Sequence, residues 1–236
     1  MERYLYLLLD LGSIAFPLLA SFEPRIRFHR KWPGLFAGIA VAGAVFIVWD
    51  ALFTAHGVWG FNDRYLAGPR LWGMPIEEWL FFLMIPYACL FLYEVMRHFV
   101  KRDILGRAAR PLSIALIVVL TAIGLLNLGR LYTSITFLGT AVFLAWIVFL
   151  HRPAWLGRFY VGYGISLIPF FLVNGVLTGS VLPEPVVWYN DAHNLGIRMG
   201  TIPLEDSIYL LLLLLMVTVF YERPLKRPHG DLSSAG

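Results

Sequence analysis

The sequence predicts an all-α integral membrane protein of seven transmembrane helices, built as a 3+1+3 parallel internal repeat. Three observations carry that prediction: apolar blocks long enough to cross a bilayer, basic residues that alternate between their connections, and an acidic motif that recurs 128 residues further on. Of 236 residues, 59% are apolar and 14% charged. A soluble domain carries about 25% charged residues, and one of this length could not hide so much apolar surface in a single core.

A membrane-spanning helix needs about 20 predominantly apolar residues. Seven blocks approach that length: Tyr4 to Phe22, Gly34 to Thr54, Pro75 to Met96, Pro111 to Leu126, Tyr132 to Leu150, Phe159 to Thr178, and Pro203 to Tyr221. The first has only Arg3 ahead of it and carries Asp10 inside, so it reads as a retained helix rather than a signal peptide. The sole cysteine, Cys89, sits within the third block, which excludes an internal disulfide. Residues 224–236, rich in Pro, Gly and Ser, read as a disordered cytoplasmic tail.

Lys and Arg concentrate in cytoplasmic connections. One alternating set holds Arg25, Arg27, Arg30, Lys31; Arg97, Lys101, Arg102, Arg107, Arg110; Arg152, Arg158; and Arg223, Lys226, Arg227. The other set holds only Arg3, Arg64, Arg70, Arg130 and Arg198. The first set is therefore expected in the cytoplasm, with the N-terminus outside, the C-terminus inside and an odd number of helices. The expected location is the cell (inner) membrane.

Asn62-Asp63 leads to Pro75-Ile-Glu-Glu78, and Asn190-Asp191 leads to Pro203-Leu-Glu-Asp206, at one constant offset. The same register pairs Gly68 with Gly196, Arg70 with Arg198, Tyr93 with Tyr221 and Glu94 with Glu222. With a four-residue adjustment, Asp50 faces Asn174. Residues 1–100 and 131–223 thus read as two three-helix repeats, with 101–130 supplying the joining helix. Helices four places apart share orientation, which makes the repeat parallel about an axis along the membrane normal.

A proline in the first helical turn followed by acids is an ordinary helix start, because carboxylates there meet the positive end of the helix dipole. The doubling, and the cost of a carboxylate at the edge of hydrocarbon, point instead to function. Adjacent helical residues diverge by about 100°, so one acid of each pair points inward. Glu77 and Glu205 are expected to do so, with Glu78 and Asp206 supporting them. Asp50 and Asn174 reach the same depth, and Asp10 is a further neighbour whose counterpart is apolar in this register. Carboxyls gathered in an apolar setting cannot all ionise, so a protonated acid is expected beside an ionised partner. The nearby rings of Trp59, Phe61, Trp72, Trp79, Phe81, Phe82, Trp188, Tyr189 and Tyr209 could stabilise a carbocation, or form an interfacial aromatic belt. Glu94 and Glu222, at the other ends of their helices, read as interfacial ion pairs with Arg97 and Arg223.

Several functions are excluded. Lys31, Lys101 and Lys226 all lie outside the blocks, so no last-helix lysine is available for a retinal Schiff base. No dinucleotide-binding glycine motif follows a strand, and the six histidines have no ligand spacing, so no metal site is expected. The basic residues follow topology and give no nucleic-acid surface.

The doubled Pro-x-Glu-[Glu/Asp], with Trp79-Leu-Phe-Phe82 after the first copy and an Asn-Asp ahead of each, resembles the paired motifs of the small membrane lycopene cyclases. These occur as two short subunits, as one fused chain, or joined to phytoene synthase; the resemblance covers the whole length, each half matching one subunit. It implies cyclisation of the ψ-ends of lycopene to ionone rings, of the β type, by protonation and carbocation closure without net redox change. No cofactor is implied. Glu77 and Glu205 would carry the acid and cation-stabilising roles with Glu78 and Asp206 beside them. Asp50, Asn62, Asn190, Asn174, Trp79, Phe82 and Tyr209 would bind substrate or support the acids. Lycopene or a monocyclic carotene and the lipid bilayer are the implied partners, with a homo-oligomer or carotenoid-pathway enzymes as further associates. The alternatives are a small-solute transporter, since sugar facilitators share the three-one-three plan, and a non-catalytic carotenoid-binding membrane protein.

Overall fold

Hydrocarbon offers no hydrogen-bond partners, so a spanning segment must satisfy its backbone internally, as a helix does. The structure, a computed structural model, describes residues 2–223. Among the described residues there are seven α-helices: α1 (Leu5–Ala20), α2 (Trp32–Ala55), α3 (Ile76–Phe99), α4 (Gly106–Leu126), α5 (Leu131–Ala145), α6 (Leu156–Leu177) and α7 (Leu204–Tyr221). All seven are long and apolar enough to cross a membrane, α1 with the short turn ahead of it and α5 through a π-helical continuation to His151. The chain is a multi-pass membrane protein. The tail expected at 224–236 lies outside the described residues. Helix α4 starts earlier than hydropathy places it, at Gly106, because Arg107 and Arg110 occupy its first turns.

The two most buried helices, α3 and α7, are those that carry the acidic motifs. Helix α1 packs on α3, and α5 packs on α7; α2 lies against α7, and α6 against α3. The first three helices and the last three are therefore interleaved, while α4 flanks α5 and α6. Two glycines permit the crossings. A Cβ on Gly38 would meet the Val217 carbonyl at 2.6 Å, and one on Gly162 would meet the Tyr93 ring at 2.8 Å.

Short strands, absent from the all-helical expectation, organise the loops at one end. β1 (Trp59–Phe61) is followed by the hairpin of β2 (Arg70–Leu71) and β3 (Met74–Pro75); β4 (Val187–Tyr189) is followed by that of β5 (Arg198–Met199) and β6 (Ile202–Pro203). β1 pairs antiparallel with β4, which sets Trp59 opposite Tyr189. Gly73 (φ 80°) and Gly200 (φ 66°) supply the left-handed turns of the hairpins. Arg70 holds its hairpin by donating to the Gly73 carbonyl at 2.8 Å and to Asp63 at 2.6 Å. Arg198 does the same with the Thr201 carbonyl at 2.9 Å and Asp191 at 2.6 Å. Each hairpin thus delivers its proline to the start of α3 or α7.

At the opposite end the acids pair crosswise. Tyr93 donates to Glu222 at 2.8 Å and Tyr221 to Glu94 at 2.6 Å. Lys31 reaches Glu94 at 2.8 Å, and Arg97 bridges Glu222 and Glu94. Arg223, expected beside Glu222, lies instead over the Phe220 ring.

Candidate active site

Both helix starts bring two adjacent acids to the same end of the bundle, and the chain ahead of each decides which way they turn. Ala67 donates its backbone N–H to Glu77 at 2.7 Å, and Leu195 donates to Glu205 at 2.7 Å. Thr133 adds a second bond to Glu205 at 2.6 Å. Glu77 and Glu205 are therefore turned back into the hairpin loops, fully buried, each with its second oxygen unpartnered. The following residue lies about 100° further round the helix. Glu78 and Asp206 consequently face one shared, narrow cavity of about 50 Å³. This is the reverse of the orientation expected from sequence, and the loops supply the reason.

Two tyrosines anchor the inward acids. Tyr6, on α1, donates to Glu78 at 2.7 Å, and Tyr132, on α5, donates to Asp206 at 2.6 Å. Beyond that point the two sides differ. Asp206 also accepts from the Asn174 amide at 2.6 Å and the Tyr189 hydroxyl at 2.9 Å. Burial, then the adjacent Asp206 carboxylate, push the Tyr189 phenol well above its ordinary pKa, so it stays a donor. Three donors aimed at one carboxyl suit an anion, which accepts only. On the other side, Asp50 accepts the Trp59 indole N–H and lies within hydrogen-bonding reach of Glu78. Two carboxyls hydrogen-bond to each other only through a proton, so this pair can share one, and the second oxygen of Asp50 finds no other donor.

No cation pairs with these acids among the described residues. Arg64, Arg70 and Arg198, at the same end of the bundle, pair instead with Glu2, Asp63 and Asp191 on the loop surface. There the Asn194 amide and the Arg198 guanidinium hold Asp191 below the usual carboxylate range. Asp10 is fully buried close to Glu77 and Glu78, and neither of its oxygens finds a donor. Among the described residues no group of His, Cys, Asp and Glu is disposed to hold a metal ion.

Comparison with known proteins identifies the family. A family model described as lycopene cyclase matches residues 3–96 and 129–223, most of the chain, and α4 falls in the gap between the two matches. The chain belongs to the lycopene cyclase family. It is similar to a bifunctional lycopene cyclase/phytoene synthase of Neurospora crassa, 34% identical over 83 residues that make up 35% of this chain and 12% of the relative. A bifunctional protein of the same description from Aspergillus niger is 24% identical over 203 residues, 77% of this chain and 33% of the relative. The chain thus spans a third or less of the length of these relatives. No solved structure matches it.

Within this family member the residues named from sequence divide into three groups. Glu78, Asp206, Asn174 and Tyr209 line the cavity, and Asp50 borders it through Glu78 and Trp59. Tyr209 packs edge-on to Phe46 and Trp49, with ring centroids 4.7 and 5.2 Å away. Asn62 and Asn190 shape turns instead: their side-chain oxygens accept from Arg64 and Ala192, and Asn190 donates to the Gly57 carbonyl. Trp79 bonds the Leu71 carbonyl on the outer side of α3, and Phe82 is buried against Phe46 behind the cavity. Of the other aromatics, Trp59, Phe61, Phe81 and Tyr189 line the cavity, whereas Trp72 and Trp188 are exposed. Tyr6 and Tyr132 were not singled out from sequence. They stand 126 residues apart and so fall outside the register of the acidic motif, but a tyrosine near the start of each three-helix set was there to be read.

Proposed function

We propose that the chain is an enzyme of carotenoid biosynthesis that cyclises the acyclic ends of lycopene, or the open end of a monocyclic carotene, at the cavity between Glu78 and Asp206. The observation that carries this reading is the unequal pair: two carboxyls close enough to share a proton, Glu78 and Asp50, facing a carboxyl held by three donors. Glu78, sharing its proton with Asp50, adds that proton to the terminal double bond of the substrate. The resulting tertiary cation is attacked by the next double bond, which closes the ring and moves the positive charge into it. Loss of a ring proton to a carboxylate then restores the alkene. One proton enters and one leaves, so no net redox change occurs. Asp206 stabilises the cation electrostatically, assisted by the faces of Trp59, Tyr132 and Tyr209. Glu77 and Glu205 are positioning residues in this scheme. They hold the loops that aim Glu78 and Asp206.

The same reading includes a parallel duplication of residues 1–100 and 131–223 about the 101–130 linker. The matched bonds of Ala67 to Glu77 and Leu195 to Glu205, and the matched helix packing, support it. It also puts the motif end of the bundle outside the cell membrane and the Lys31, Arg97 end in the cytoplasm, in accord with the distribution of basic residues. β-Type rings, and association with carotenoid-pathway enzymes or a second copy of the chain, belong to the proposal as well. Expression in a bacterium that accumulates lycopene tests the function directly. Conversion of lycopene to cyclic carotenes is expected. Unchanged lycopene, with the protein shown to be in the membrane, would sink the reading.

A further inference from the structure

The acid cavity is short for a C40 polyene, so most of the substrate must lie elsewhere. One wall of the cavity, Phe170 on α6, is also a wall of a second and larger hollow of about 420 Å³ on the outer surface of the bundle. That hollow runs between α1, α3 and α6, and its lining is almost wholly apolar. It exists because small side chains stand where the helices face one another: Gly12 and Ser13 on α1, Ala88 on α3. A Cβ built on Gly12 would meet nothing within 4 Å. Phe16 and Leu92, at its far side, are shared in turn with a third hollow of about 450 Å³ between α1 and α3 that reaches Phe99. The three spaces therefore share walls in sequence, from Glu78 at the start of α3 to Phe99 at its end. At 1.5 Å per residue that track is about 32 Å long, on the order of the hydrocarbon thickness. It is comparable with an extended rod-like polyene.

We propose that this lateral groove along α1 and α3 seats the polyene body of the substrate, entering from the bilayer, with Phe170 dividing it from the cavity that takes the reacting end. The inference rests on the cyclase reading for the identity of the polyene. Lipid acyl chains would also touch an apolar face, but only an occupant whose end needs the acid cavity has reason to use a track continuous with it. The matching position on the other side, Phe46, is fully buried against Tyr209 and Phe82, whereas Phe170 faces both spaces.

The test places a thiol in the groove. Gly12→Cys in a Cys89→Ala background, reconstituted in phosphatidylcholine vesicles, is alkylated by a lipophilic maleimide with and without lycopene. Lycopene should slow labelling about tenfold, as expected for a site mostly occupied at saturating ligand. A Val41→Cys control on the lipid-facing side of α2 should label equally in both arms. Equal labelling of Gly12→Cys with and without lycopene would overturn the groove, since acyl chains are present in both. A second variant keeps the test independent of that chemistry. Gly12→Trp, whose Cβ meets nothing within 4 Å and whose ring would occupy the groove, should raise the apparent KM for lycopene about tenfold with little change in kcat, the mark of lost ground-state binding. Wild-type kinetics in Gly12→Trp would overturn the proposal. Protection without any ring formation would support the groove and sink the cyclase reading, so the two failures are distinguishable.

Discussion

Glu77 and Glu78 are neighbours of the same type, yet replacing them should have very different consequences. In Glu78→Gln the side-chain oxygen can still accept from Tyr6, and the new amide N–H can donate to Asp50, so every contact survives except the transferable proton. Removing a general acid lowers the rate by about 10²–10⁴-fold, or about 2.7–5.5 kcal/mol of barrier. In Glu77→Gln the oxygen still accepts from the Ala67 N–H, but the new amide points where Glu77 now has no partner. A buried donor left unmet costs about 1–3 kcal/mol of stability. Glu77→Gln should therefore melt lower while its folded fraction cyclises lycopene within about tenfold of wild type, a bound set by 1.4 kcal/mol per decade. The assay is pigment analysis of membranes supplied with lycopene, normalised to folded protein, together with thermal unfolding in detergent. A Glu77→Gln protein that stays folded but is as inactive as Glu78→Gln would refute the reasoning. So would a Glu78→Gln protein with normal turnover.

The remaining expectations follow from the same contacts. Asp206→Asn replaces a carboxylate that accepts from three donors, and its kcat should fall by about 10²–10³, the usual loss for one electrostatic stabiliser; a change of only a few-fold, measured in the same pigment assay, would contradict the cation-stabilising role. Asp50→Asn keeps the acceptor for Trp59 but removes the shared proton, so lycopene should accumulate although the protein's melting temperature changes little. Arg97→Ala leaves Glu222 and Glu94 without their shared cation and should cost about 1–3 kcal/mol of stability, less than a fully buried pair because the site is partly exposed, with turnover per folded molecule unchanged. A reporter fused after residue 236 should be shielded from protease added outside intact cells, and cleavage there would reverse the proposed orientation.

The helices were legible because hydropathy and length decide them in a membrane, where an unpaired backbone is not tolerated. Their edges were less so: Arg107 and Arg110 are charged and yet helical, and hydropathy alone leaves them out of α4. The acidic cluster was also legible, since its four members share one motif. Which acid turns inward was not. That depends on where the Ala67 and Leu195 N–H groups fall after a strand hairpin, and two-residue strands leave no periodic trace. Asn62 and Asn190 illustrate the same gap: an amide ten or more residues ahead of an acid can support it or shape a turn, and here both shape turns.

Under the proposed duplication the scaffold around the site is nearly two-fold, and its departures from that symmetry make the proposed chemistry workable. Tyr6 matches Tyr132, Ala67 matches Leu195, and Trp59 stands opposite Tyr189 across the strand pair. Each of the latter two donates to an acid, Trp59 to Asp50 and Tyr189 to Asp206. The decisive difference is an oxygen exchanged for a nitrogen, Asp50 against Asn174. With an amide on both sides, both inward carboxyls would be held as acceptors, and the cavity would attract a cation it had no means of making. With a carboxyl on both sides, protons would be available but no anion would be held ready for the charge that follows. Protonation of a double bond in an apolar cavity needs a donor and a counter-charge together, and in the proposed scheme the two halves divide those tasks between Glu78 and Asp206.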